Sequence, residues 1–295
     1  MESLLITGSS GFIGSYMVTH LKKTFKIFQA DKTFIAESNT EDCVFMDITD
    51  SHLVNQVIQK YCPDVVLHLA AIKDVSFCQI NPDKAKRVNV NGTKNILDSC
   101  TKVGAFLIFM SSDYVFEGTT GMYSEEDLRN PSTIYGSTKK ESEDLIIDSD
   151  IRYCISRSGG VYGNTKRQSS LLTWATERFK RGQVVKAFSN VYNTPTCIYD
   201  LCKGIELIAK EHLEGIFHIA GCQRTKRSDF LREYAFSYGF DPGLVVEENY
   251  EFIPSLNNYR RPVDLSLSSK VSEKNLEMEF LSVREGFDIL RNLNI

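Results

Sequence analysis

The chain has 295 residues, 42% of them hydrophobic and 24% charged, with 34 Lys and Arg against 38 Asp and Glu and a formal net charge of −4. These proportions are those of an ordinary globular protein and exclude a disordered, coiled-coil or collagen-like chain. The slight acidity offers no basic face for nucleic acid. No apolar run reaches the ~18–20 residues that span a bilayer, and Met1 to Gly8 lacks the basic and apolar regions of a secretory signal. The expectation is a cytoplasmic chain of one large or two smaller domains, with neither nucleic acid nor membrane as partner.

Ser3–Thr7 reads as a buried strand, followed by a glycine-rich turn and a helix through about Lys23. Strands are expected at Lys26–Ala30 and Val44–Met46, a helix at Ser51–Tyr61 and a strand at Asp64–Ala70. A long helix covers about Pro82–Val103, and strands return at Ala105–Met110 and Tyr153–Ser156. Near-continuous apolar strands separated by helices require a parallel sheet covered on both faces, and right-handed crossovers make it doubly wound. Beyond that the pattern loosens. Helices are expected at Ser169–Arg181, Asp200–Glu211, Arg227–Tyr238 and Ser282–Leu293, and strands at Val184–Phe188 and Gly215–Ala220. With no Pro-, Gly- or Ser-rich linker, the chain divides softly into residues 1–163 and a smaller, interleaved part over 164–295.

The eight cysteines are scattered through apolar segments without CxxC spacing, which predicts free thiols and a reducing compartment. The five histidines form neither HExxH nor HxxxH, so no metal site is expected. His68, in an apolar strand, reads as a hydrogen-bonded core histidine.

Gly8-Ser9-Ser10-Gly11-Phe12-Ile13-Gly14 follows the first strand and opens a helix. In that context the glycines allow a tight turn, close approach to a pyrophosphate and close helix–strand packing, while helix N-terminal amides meet the phosphate. Gly8, Ser10, Gly11, Phe12, Ile13 and Gly14 are therefore candidate dinucleotide contacts, and the 1–163 part a dinucleotide-binding (Rossmann) domain. Asp31, ending the second strand, is placed to bond a ribose 2′-OH and repel a 2′-phosphate, with Lys32 beside it able to offset that repulsion. The cofactor reading is NAD or NADP, with NADH favoured by Asp31. Asp47 and Ile48, after the third strand, are candidate contacts for the adenine edge.

Tyr135-Gly136-Ser137-Thr138-Lys139 has the YxxxK spacing that puts a phenol and an ammonium on one helix face, where the ammonium can lower the phenol's pKa. It follows a strand ending in Met110-Ser111-Ser112-Asp113-Tyr114, and a hydroxyl at a strand's carboxyl end faces the crevice where such sheets bind ligands. Ser112, Tyr135 and Lys139 are the candidate catalytic set.

In these motifs the chain resembles an extended short-chain dehydrogenase/reductase. Ser111 to Gly118, Tyr123 to Asp127, Pro131 and Tyr135 to Lys139 are similar to the dTDP-4-dehydrorhamnose reductase family. So are His68 to Ala71, Asn89 to Asn95, Arg157 to Gly163, Thr194 to Thr196 with Asp200-Leu201, and Arg260 to Pro262. The resemblance implies reduction of a 4-keto group on a nucleotide-activated sugar by hydride from NAD(P)H. It makes Tyr135 the acid, Lys139 its electrostatic partner and ribose anchor, and Ser112 the hydroxyl that polarises the carbonyl. Ala70 and Ala71 would line the cofactor, and Asp113 and Tyr114 would contact the substrate. Arg260 and Arg261 either clamp the substrate pyrophosphate or belong to a solvated loop, and Asn89 makes either a helix-to-loop hydrogen bond or a catalytic contact. A homodimer is implied by resemblance alone. Phe12-Ile13, Ile72 to Ser76 and Gly160 depart from the reductase pattern, which leaves the sugar open. Two other readings stand beside the reductase: a 4-epimerase that recycles its NAD, and a non-enzymatic cofactor-binding regulatory subunit like that of methionine adenosyltransferase.

Overall fold

Alternate residues of a strand face opposite sides of its sheet, so strands that are apolar throughout must be covered twice. The computed structural model describes residues 1–34, 41–164, 171–251 and 261–292. Along the chain come β1 (Ser3–Thr7), α1 (Phe12–Leu21), β2 (Lys26–Asp31), β3 (Cys43–Phe45), α2 (Ser51–Tyr61), β4 (Val65–His68), α3 (Val75–Ile80) and α4 (Pro82–Lys86). A π-helical turn, Arg87–Asn91, joins α4 to α5 (Gly92–Val103), and β5 (Phe106–Met110), α6 (Ile134–Ile147) and β6 (Tyr153–Arg157) follow. Then come α7 (Leu171–Lys180), β7 (Val185–Phe188), β8 (Tyr192–Asn193), α8 (Ile198–Glu211), β9 (Gly215–His218), β10 (Thr225–Lys226), α9 (Arg227–Ser237), β11 (Val245–Glu248), α10 (Lys270–Leu276) and α11 (Val283–Asn292).

Seven parallel strands lie in the order β3-β2-β1-β4-β5-β6-β9, the doubly wound α/β sheet expected from the sequence. Leu4 and Ile6 pack with Met17 and Leu21 of α1 and with Leu201, Ile205 and Ile208 of α8. Leu5, between them, faces the other side, where Val54, Val57 and Ile58 of α2 and Ile96, Leu97 and Cys100 of α5 cover it. Both small sheets, β8 with β10 and β7 with β11, sit outside this sandwich.

The main departures from expectation are local. The helix expected over Pro82–Val103 contains the π turn, and α3, capped by Asp74 accepting from the Phe77 amide, carries no long periodic signal of its own. Ser169, Ser170 and Leu293, within expected helices, lie outside the described residues. Strand β9 comes from beyond residue 163 yet pairs with β6, and α8 packs on α1, where His20 Nε2 lies 2.6 Å from Glu206 Oε2. All eight cysteines are free thiols, five of them buried. Among the described residues no helix is long and apolar enough to cross a membrane.

A chain of hydroxyls ties the inner strand ends together. Thr7 Oγ1 accepts from the amides of Leu69 and Ala70, both at 3.1 Å, and so donates to His68 Nδ1 at 2.7 Å. Thr93 Oγ1 donates to the Asn89 carbonyl at 2.5 Å and so accepts from His68 Nε2 at 3.1 Å. His68 is therefore the core histidine expected, neutral, with its proton on Nε2. Burial, with the Lys139 charge adding, pushes it down to about 3. The unfolded histidine binds its proton at about 6.5, so stability held above that pH is lost as the pH falls toward 3. Measured by urea unfolding, wild-type stability relative to His68→Gln should fall by up to ~1.4 kcal/mol per pH unit across that window.

Candidate functional site

The carboxyl ends of β1, β2, β4 and β5 open into one cleft of about 820 Å³. Its walls take in Gly8, Ser10, Gly11, Phe12, Ile13, Gly14, Asp31, Lys32, Asp47, Ile48, Ala70, Ala71, Ser112, Asp113, Tyr114, Tyr135 and Lys139, bringing these candidates together. Arg261 is not among the lining residues; its guanidinium lies 5.9 Å from the Phe188 ring and its amide donates to the Tyr250 hydroxyl. Arg260 lies outside the described residues.

At one end of the cleft the chain turns out of β1 through Gly8, at φ +68°, into α1. A Cβ on Gly14 would sit 2.3 Å from the Gly8 carbonyl oxygen and 2.7 Å from Ser9 Cα, so the turn closes only with glycine there. The N-cap residue Gly11 has no side chain to occupy the first amides of α1, which leaves them open to an anion. Ser10 N donates to Asp31 Oδ2 at 3.1 Å, and Thr33 donates to Oδ1 from both its amide and its hydroxyl at 2.9 Å. Burial alone would raise the Asp31 carboxyl, but these bonds hold it below its ordinary value. Asp31 therefore braces the glycine turn as an ionised group. Asp47 is held low in the same way by Thr49 against burial, with the charges of Lys32 and Arg87 helping. A glycine cradle, open helix amides and a carboxylate at the far strand end fit a dinucleotide of the NAD(P) type.

At the other end, α6 delivers Tyr135 and Lys139. Thr133 Oγ1 caps it by accepting from the Gly136 amide at 3.1 Å. Burial, the largest cause, holds the Tyr135 phenol above its ordinary value; the Ser112 hydroxyl opposes this, and the charges of Asp113, Tyr114 and Cys78 add to it. This differs from the sequence expectation of a lowered phenol. The reason is burial; the Lys139 ammonium, which donates to the Met110 carbonyl at 2.6 Å and lies 4.4 Å from the Phe109 ring centre, does not offset it. Burial pushes Lys139 itself down to about 8, against the pull of Glu143.

One turn further along α6, Glu143 is fully buried against Arg157 of β6, with Arg157 Nε to Oε1 at 3.0 Å and Nη2 to Oε2 at 2.8 Å. Arg129 and Ser111 also donate to that carboxylate. Asn89 makes the helix-to-loop contact: it accepts from the Ile72 amide at 2.8 Å and donates to the Ile72 carbonyl at 3.1 Å and to Thr138 Oγ1 at 3.0 Å. The sequence reading missed Glu143, Arg157 and Arg227. The first two look like ordinary helix and strand charges until the fold buries them. Arg227, first residue of α9, acts on Asp113 across a separation that no local pattern spans.

Sheet order, glycine cradle and Tyr–Lys pair together define an extended short-chain dehydrogenase/reductase, an NAD(P)-dependent oxidoreductase class. The chain belongs to the family described as the RmlD substrate binding domain, which matches residues 1–289. It is 30% identical over 275 residues to the spore coat polysaccharide biosynthesis protein SpsK of Bacillus subtilis, covering 93% of this chain and 92% of that one. It is 28% identical over 242 residues to methionine adenosyltransferase 2 subunit beta of Bos taurus, covering 76% and 68%. A crystal structure of a hypothetical dTDP-4-dehydrorhamnose reductase from Sulfolobus tokodaii matches with a TM-score of 0.83 at 28% identity, covering 96% and 98%.

Two outcomes follow from this geometry. Gly14→Ala should weaken NAD(P)H binding by calorimetry at least about tenfold, because the new Cβ must displace backbone. Arg157→Met, which strands the buried Glu143 carboxylate, should cost about 3–5 kcal/mol in denaturant unfolding.

Proposed function

We propose that this protein reduces the 4-keto group of a nucleotide-activated deoxysugar with NADH or NADPH. The observation that carries the reading is that Ser112 and Tyr135 stand in the wall of the same cleft as the glycine cradle, with the Lys139 ammonium buried at the sheet end. Gly8 to Gly14 and Asp31 would hold the dinucleotide, and Ala70 and Ala71 would line it toward the sugar. The cofactor supplies a hydride when bound. Tyr135, kept neutral by burial, reaches the substrate as an acid and gives its proton to the developing alkoxide. The Lys139 ammonium, donating to the Met110 carbonyl at the strand end, would anchor the cofactor ribose. Ser112 polarises the carbonyl, and residues after 163 form the wall that selects the sugar. We place the enzyme in the cytosol as a homodimer, consistent with free thiols and with the family resemblance. Asp31 supports use of NADH, and Lys32 and Arg87 supply positive charge tolerant of a 2′-phosphate.

The test is a screen of nucleotide-linked 4-keto sugars against NADH and NADPH, following loss of reduced cofactor and identifying the product by NMR. Stoichiometric consumption supports the reductase, whereas interconversion without consumption points to an epimerase. The likeness to methionine adenosyltransferase subunit beta supports a second reading, a cofactor-binding partner protein. It prevails if the protein binds NAD(P)H, turns over no sugar and co-purifies with a larger enzyme. Tyr135→Phe should lower kcat by about 10²–10⁴ while leaving cofactor affinity unchanged.

A further inference from the structure

The Ser112 hydroxyl sits between two groups that compete for its single proton. On the inner side its Oγ lies 2.7 Å from Asp113 Oδ1. On the cleft side stands the Tyr135 phenol, near enough for the Ser112 hydroxyl to favour its ionised form against burial. The Tyr114 amide donates to Oγ at 3.3 Å and occupies one lone pair in every state. A hydroxyl gives one proton and accepts through two lone pairs, so its direction is set by whichever neighbour has no proton to offer.

Asp113 is only 4% exposed, and a Cβ on Gly159 would come within 2.2 Å of its Oδ2, so the carboxyl is closely packed on that side too. Tyr114 stands on the same turn as Asp113 and Tyr135 of α6 interacts with that carboxyl, while Cys78 on α3 acts on Tyr135 and Lys139. Arg227 at the start of α9 completes the set, with Arg261 acting on Arg227 in turn. Lys139 is committed to the Met110 carbonyl, and Arg227 makes no closer claim on Asp113 than a through-space attraction. Burial therefore outweighs the hydrogen bonds from Ser112 and Tyr114 and the attraction of Arg227, pushing the carboxyl up to about 7.

We propose that Asp113 is a positioning residue that sets the direction of the Ser112 proton. As a neutral acid it donates to Oγ and turns the hydroxyl toward the cleft; as a carboxylate it takes that proton and turns the hydroxyl away. In the neutral state Ser112 is free to donate to the carbonyl oxygen, and the Tyr135 proton also points there. In the ionised state the hydrogen bonds run inward from Tyr135 to Ser112 to Asp113, and the substrate loses both donors at once. Asp113 keeps its proton through turnover, so no bond to it forms or breaks. The inference rests on the reductase reading of Ser112 and Tyr135.

Two measurements test it. Infrared difference spectra of the free protein, with isotope-labelled aspartate, should show a protonated carboxyl band at pH 6 that titrates away around neutral pH and is missing in Asp113→Asn. In the reaction, the wild-type rate at saturating substrates should fall about tenfold per pH unit above that ionisation. Asp113→Asn, whose amide donates to Oγ at every pH, should lose this neutral limb and keep only the more alkaline one belonging to Lys139. Adding Asp113→Asn to Ser112→Ala should change the Ser112→Ala profile no further. No protonated band at pH 6, or a neutral limb that persists in Asp113→Asn, overturns the proposal. If the wild type consumes no reduced cofactor with any keto sugar, the reductase reading fails, while the infrared titration still reports whether Asp113 holds its proton.

Discussion

The buried pair between Glu143 and Arg157 decides where everything chemical in this molecule stands. Glu143 lies on α6, the helix that carries Tyr135 and Lys139, and Arg157 ends β6 beside the strand that leads to Ser112. Two charge-assisted bonds from one guanidinium leave the carboxylate a single orientation, and Arg129 and Ser111 occupy the rest of its lone pairs. Arg157 also reaches the Glu125 carbonyl at 3.2 Å and His218 of β9 at 3.3 Å. The rotation of α6 over the strand ends is thereby tied to β6, to β9 and, through Ser111, to the residue that follows β5. Taken out of water, such a pair contributes little net stability; what it supplies is a position that cannot drift without exposing an unpaired charge.

Exclusion of water then does to the cleft what the ion pair does to the frame. It keeps the Tyr135 phenol protonated, brings Lys139 within reach of losing its proton and lifts Asp113 out of the ordinary carboxylate range. At the adenosine end the same force acts on Asp31 and loses, because three donors from Ser10 and Thr33 satisfy the charge. One cleft thus holds a carboxylate kept low where the fold needs a brace and another raised toward neutral pH beside Ser112. The difference between them is chiefly depth: Asp31 keeps part of its surroundings open and its donors prevail, whereas Asp113 is buried deeply enough to outweigh its own.

Much of this was legible in the sequence. Strand β1 and helix α2 run over the residues expected of them, because an apolar run between turn residues and a clean helical period leave few alternatives. The glycine turn, Asp31, Ser112 and the Tyr–Lys pair could be found because each belongs to a local spacing with its own chemical reason. What escaped has no local spacing. The π turn at Arg87–Asn91 reads as plain helix, and two-residue strands such as β8 and β10 exist only through their partners. Arg227 reaches Asp113 from the far side of the chain. The lowered phenol expected from YxxxK failed because burial, which no local spacing reveals, outweighs it, and the ammonium that helical spacing puts on the right face donates to the Met110 carbonyl of another element.

The return of the chain to its first sheet has a consequence during synthesis. Strand β9 closes the edge beside β6, and α8 covers the apolar flank of α1, so the early half emerges from a ribosome with one edge unpaired and one helix face bare. At about 5–20 residues per second, the interval until α8 and β9 emerge lasts seconds. For that time the nascent chain depends on helpers or on speed to keep its β6 edge from pairing with a neighbour. The interleaving that completes the seven-stranded sheet thus leaves its first half with bare surface until the rest of the chain is made.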